Sequence, residues 1–171
     1  MTKDTIRLLA SYNAYANKGM NEAIAKLSPE QWEKNAGGFF GSIQAVCAHI
    51  YSASFNWLKR LNSLRGFETS KNPLLGTTLP RDAKPFTTVA EYLAKCAELD
   101  ALIEAFAAEV TDADLASDLT FKNWAGETQT KNFGGLAMHL FNHATHHRGA
   151  VALYLDLAGV QNDFSNLIRM L

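Results

Sequence analysis

The sequence predicts an all-α fold: a four-helix bundle formed by residues 1–171 as one domain, with a small β-hairpin before the last long helix. Three observations carry this expectation. Four long stretches place apolar residues at helical spacing. The four prolines all fall outside those stretches. Capping residues and glycines stand near their ends. At 171 residues and 47% hydrophobic content, the chain has the length and composition of a single folded domain with its own core.

The first helix is expected over about Thr2 to Leu27, with Ile6, Leu9, Ala16, Met20, Ile24 and Leu27 at helical spacing. Ser28, Pro29 and Gln31 then read as N-cap, first helical position and capping-box partner of a short helix or turn. Ser42 is the expected N-cap of the second long helix, running to about Leu64 before Gly66. From Arg65 to Phe86 two glycines and three prolines predict a loop, long enough to cover a site or to cross the bundle. Thr88 and Glu91 form a second capping box, opening a helix through about Val110, with one more turn at Asp112–Leu115. Residues Asp118–Asn123 and Glu127–Lys131 partly alternate around Gly126, which predicts the hairpin. The last long helix is expected from about Phe133 to Ala158, ended by Gly159, and the tail after it is amphipathic enough to dock on the body or on a partner.

Charge narrows the function classes. The formal net charge is -1, from 16 basic and 17 acidic residues, and no Lys/Arg-rich run supplies the phosphate-neutralising contacts of nucleic-acid binding. No stretch approaches the ~18 apolar residues of a membrane span, and the N-terminus lacks an apolar signal region. Cys47 and Cys96 lie in apolar helical stretches and read as buried free thiols rather than a disulfide. A cytoplasmic protein with no nucleic-acid or membrane partner is therefore expected.

Four of the five histidines fall between His139 and His147 in "HLFNHATHH". With Leu140 at the centre of that helix's apolar face, His147 lies about 20° away and His143 about 60° away. His139 and His146 lie about 100° and about 120° away, at or beyond the edge of the face. His143 and His147 thus look inward, four residues apart, close enough for both imidazoles to reach one ion. Two ligands rarely suffice, since open zinc-type sites commonly use three. Without an ion the inward pair needs hydrogen-bond partners, and the helix offers only Asp156, on its far side. His49 sits in "CAHIYSASFNWLKRL", on the flank of an apolar face and about 80° from Trp57. That position is compatible with a site between helices but does not by itself establish one. Asn56 is either a supporting partner or an exposed amide. His146, Glu127 and Tyr154 are the candidate general bases.

"HLFNHATHHRGAVALYLDLAG" resembles the closing helix of the DinB family of DinB/YfiT-like metalloenzymes, whose pattern is close to N-H-x-x-H-H-R-G-Q. The matching residues are Asn142, His143, His146, His147, Arg148 and Gly149. "CAHIYSASFNWLKRL" and "LLASYNAYANKGM" resemble the family's second and opening helices. The resemblance implies a four-helix bundle holding one divalent metal, zinc or nickel, on His49, His143 and His147, commonly as a homodimer. Ala150 stands where the family usually has glutamine, which puts any polar role of that position in doubt. Arg148 is expected to tie its helix to nearby carboxylates or to a partner subunit.

Two function classes follow. One is a metal-dependent enzyme, a hydrolase or thiol-dependent transferase, with an open water or substrate position and a small-molecule substrate the sequence does not specify. The other is a non-catalytic metal-binding or helical interaction protein, the latter presenting Phe39, Phe40 and Trp124.

Overall fold

A computed structural model describes residues 1–80 and 83–171; the expected loop over 65–86 therefore lies partly outside the described residues. The first long helix, α1, is Lys3–Ile24, capped by Thr2, whose side chain accepts from the Thr5 amide. The short α2, Pro29–Glu33, has the expected capping box between Ser28 and Gln31. Ser42 caps α3, Ile43–Leu61, by accepting from the Ala45 amide. The segment read as a loop contains a 3-10 turn at Glu68–Lys71 and a short α4, Pro73–Gly76, started by the Asn72 side chain. The prolines end long-range periodicity here, yet Pro73 suits a first helical turn, which the density of breakers concealed.

Thr88 and Glu91 close the capping box of α5, Val89–Glu109, and α6 follows at Asp112–Ala116. The hairpin pairs β1, Asp118–Lys122, with β2, Thr128–Asn132, in antiparallel register from Asp118↔Asn132 to Lys122↔Thr128. Gly126 turns it with φ of 82°. The last helix, α7, is Phe133–Leu157, with Asn132 accepting from the Gly135 amide and Gly159 at φ 76° beyond its end. Near its start the backbone comes close to α6. A Cβ at Gly134 would meet the Leu115 carbonyl oxygen at 2.8 Å, so the approach needs glycine.

The four long helices make the bundle. α1 packs against α5 and α7, while α3 packs chiefly against α7 and over a smaller area against α5. Consecutive long helices α1 and α3 are thus not primary neighbours, and the last helix touches both. One core runs through the bundle, from Ile6 and Met20 on α1 through Val46, Phe55 and Leu58 to Ile103, Phe106 and Leu140. Both cysteines are buried free thiols, as their apolar surroundings predict. No helix among the described residues is long and apolar enough to cross a membrane. The consequence for function is the long shared seam between α3 and α7, because α3 carries His49 and α7 carries the other four histidines.

Candidate metal centre

His49 on α3 and His143 and His147 on α7 meet in that seam. His49 Nε2 stands 3.1 Å from His143 Nε2 and 3.1 Å from His147 Nε2, and one ring nitrogen of each of the three lies within 4.8 Å of the others. All three side chains are half-buried. Four ångströms of metal–ligand bonding, about 2.0–2.1 Å per arm, would hold nitrogens about 3.3 Å apart in a tetrahedral set and about 2.9 Å apart in a facial octahedral one. The observed 3.1 Å falls between those values. One proton can bridge one pair of these nitrogens, but a single His49 Nε2 cannot hydrogen-bond both partners with full complementarity in one tautomer. The donor set therefore fits a metal ion that accepts imidazole nitrogen.

The electrostatics favour the ligand form. Burial, then the neighbouring imidazoles of His147 and His49, lower the pKa of His143 to about 4. Burial and the neighbouring His49 and His146 lower that of His147 to about 4. Both rings are then neutral at pH 7, with a lone pair to offer. Packing holds the rings in place. Phe40, brought in by the glycine turn between α2 and α3, lies 5.1 Å from the His49 ring and edge-on to His147 at 5.3 Å. His147 Nδ1 is buried with no hydrogen-bond partner among the described residues, so its ring is oriented by these aromatic contacts rather than by an outer acceptor.

The other two histidines separate from this set, as the helical wheel predicts, but for different reasons. His146 is exposed and touches the edge of His147. His139 is exposed as well, yet its ring packs edge-on to Trp57 at 4.9 Å and it lines a cavity beside the cluster. Of the candidate general bases, Tyr154 gives its hydroxyl proton to the Gly37 carbonyl at 2.6 Å, and Glu127 accepts from Asn123 Nδ2 in the hairpin turn. Neither lines the cavity beside the imidazoles. Asn56 is a structural tie, since its Nδ2 donates to the Ser52 and Leu79 carbonyls and so pins the crossing segment to α3.

The cavity has a volume of about 320 Å³ and opens against His49 and His143. Its wall also includes Asn56, Trp57 and Arg60 on α3 and Trp124 in the hairpin turn. Sequence reasoning missed Arg60. The signal was present in the spacing, since His49, Ala53, Asn56 and Arg60 follow one another at helical intervals along a single stripe.

The fold and this cluster define a helical bundle with a three-histidine site between helices that could hold a metal ion. The DinB family model matches residues 1–169, and the chain belongs to that family. Two solved structures share the fold. A DinB-like protein from Bacillus cereus is 21% identical, covering 87% of this chain and 89% of its own, with a TM-score of 0.60. The DinB-like protein YjoA from Bacillus subtilis is 14% identical, covering 92% and 96%, with a TM-score of 0.63. No curated protein sequence matched this chain.

Proposed function

We propose that this protein is a divalent-metal-dependent enzyme, a hydrolase or thiol-dependent transferase, whose ion is held by His49, His143 and His147. The observation that carries the reading is the convergence of three imidazoles beside an open cavity, with His49 Nε2 3.1 Å from both His143 Nε2 and His147 Nε2. Three protein ligands leave a coordination position for water or substrate. A divalent ion there supplies Lewis acidity that activates water or a thiol at neutral pH.

The chain's own residues do the rest. His49, His143 and His147 present lone pairs, and Phe40 fixes two of their rings. Trp57 and Trp124 wall the cavity with apolar surface, and His139 is the titratable side chain of that wall outside the ligand set. A proton-transfer role therefore falls to His139 rather than to His146, Tyr154 or Glu127, none of which lines that cavity. Zinc or nickel is the proposed ion, because imidazole suits both. A homodimer in the cytoplasm is the proposed setting, acting on a small molecule; the family resemblance supports the dimer, and the two free thiols support the compartment.

The test is metal content by mass spectrometry on tag-free protein reconstituted with zinc and with nickel. One ion per chain is expected. Alanine at His49, His143 or His147 should each weaken binding by about 100-fold or more, whereas His146→Ala should leave it within a few-fold. Sub-stoichiometric metal after both reconstitutions would reject the reading. Turnover would then be screened with ester, amide and thiol-conjugate substrates, and silence with all three in the loaded protein would leave a non-catalytic metal-binding module.

A further inference from the structure

The cavity beside the imidazoles carries at its other end a guanidinium that the proposed chemistry does not use. Arg60 lies 11 residues beyond His49 on α3, about 16 Å along the helix axis. Long helical side chains lean back toward the helix N-terminus, the direction of the Trp57 ring that Arg60 covers, which leaves on the order of 10 Å between the guanidinium and the imidazoles. The guanidinium carbon stands 4.5 Å from the centre of the Trp57 ring and 4.7 Å from that of Phe121. Two aromatic contacts fix its plane and leave its N–H edge to make bonds.

Those bonds are barely used. Nη2 reaches the Lys122 carbonyl at 3.4 Å, a long contact, and Arg60 makes no ion pair among the described residues. The cavity wall contains no carboxylate. A half-buried cation without a counterion is costly, and burial already works against its charge. An incoming anion offsets that cost.

We propose that this cavity binds a small monocarboxylate with a flat or straight apolar body, its carboxylate on Arg60 and its opposite end at the three imidazoles. The planar guanidinium edge matches a carboxylate with two parallel N–H···O bonds. Arg60 is the one Lys or Arg of the wall, and no lysine or glycine-rich loop joins it there, so the site suits one negative charge better than a phosphate dianion. Trp57 and Trp124 supply the faces that would enclose the apolar body. A volume of about 320 Å³ holds a small molecule and no polymer. The proposal rests on the metal reading only for which end of the ligand reacts; the carboxylate end stands on Arg60 alone.

The probe is 4-phenylbutyrate, titrated into metal-free and into zinc-reconstituted protein by calorimetry and by the fluorescence of the cavity tryptophans. Saturable binding is expected in both forms. Arg60→Gln should weaken it by about tenfold or more, the loss expected for a charge-assisted pair, and Arg60→Lys should recover part. The neutral isostere 4-phenylbutanamide should bind wild type about tenfold more weakly and be indifferent to Arg60→Gln. Trp124→Ala, at an exposed turn, should weaken acid and amide alike and checks the location should Arg60→Gln fold poorly.

Equal affinity for acid and amide, no effect of Arg60→Gln in a folded variant, or no binding by about 10 mM would overturn the proposal, since such a pair contributes about tenfold or more. So would tighter binding of phenylphosphonate, which would make the site one for phosphoryl groups. Carboxylate binding retained in a protein that takes up neither zinc nor nickel would reject the metal reading and leave this one standing.

Discussion

His147 and Arg148 are neighbours on α7, yet they enter two polar regions of opposite character. His147 faces α3, where three imidazole nitrogens converge with one of its own nitrogens unpartnered. Arg148 faces α1 and is buried, and its contacts close on themselves. Its Nη1 donates to Asn13 Oδ1 at 2.6 Å and Asn17 Oδ1 at 3.1 Å, and its Nη2 donates to Thr145 Oγ1. The same two amides donate through Nδ2 to Asp100 Oδ1 on α5. Arg148 is thus tied to a carboxylate, as expected from its sequence, but through two asparagines of α1 rather than directly. The lesson is that burial of polar groups does not by itself mark a binding site. A network whose donors and acceptors match holds helices together, whereas facing acceptors without enough protons leave room for an ion.

The largest effect should come from breaking the closed network. Arg148→Met strands both amide oxygens and leaves Asp100 without its nearby cation, so urea denaturation should show a loss of about 3–5 kcal/mol. His143→Leu in metal-free protein should cost less than about 1 kcal/mol, because it relieves an apposition of like groups instead of opening a satisfied network. Equal losses in the two variants would erase the distinction between the regions.

Metal supplies the next effect. Free zinc or nickel at about 100 times its dissociation constant should stabilise the wild-type protein by about 2.7 kcal/mol. His143→Leu should lose that increment, and thermal melts with and without a chelator measure it.

The Asp100 side of the network should respond to pH. Burial raises its pKa to about 7, partly opposed by the Asn17 hydrogen bond and by Arg148. Its folded pKa therefore exceeds its unfolded value of about 3.9, so the stability it contributes is full below about pH 4 and declines up to about pH 7. Asp100→Asn should flatten the stability profile across that window. A wild-type profile that already rises from pH 4 to 7 with the same slope as the variant's would place this carboxyl in the ordinary range.

A modest effect is expected at an ordinary ion pair distant in kind from both regions. Asp114 accepts two bonds from Arg65, at 2.8 and 3.0 Å, which together with the Thr111 contacts hold its pKa down to about 2 despite partial burial. Its contribution is present above about pH 4 and is lost as the pH falls to about 2. Asp114→Asn should cost about 1 kcal/mol at neutral pH, given that Arg65 is 40% exposed, and nothing at the acid end of that window.

Much of this architecture was legible locally. Ser28, Ser42 and Thr88 cap helices where their side chains accept from amides three residues on, and Gly126 and Gly159 turn the chain at positive φ. These features depend on neighbours within one turn, which the sequence lists in order. The inward pair His143 and His147 was equally legible, because a 3.6-residue period fixes which side chains share a face. The short α4 was hidden by the prolines around it, and the resemblance, not the wheel, selected His49 as the third histidine.

What the sequence by itself determined, then, was the set of helices, their caps and the face each histidine takes. The tertiary structure alone decided which faces meet. It brought His49 within 3.1 Å of residues 94 and 98 positions later, and it set Trp124 of the hairpin turn opposite Arg60 of α3. It also turned Tyr154 to the Gly37 carbonyl, away from the cavity. The physical reason is one of range. Helical periodicity and capping arise from bonds three or four residues long, while the pairing of faces follows from burying apolar area between elements distant in the chain.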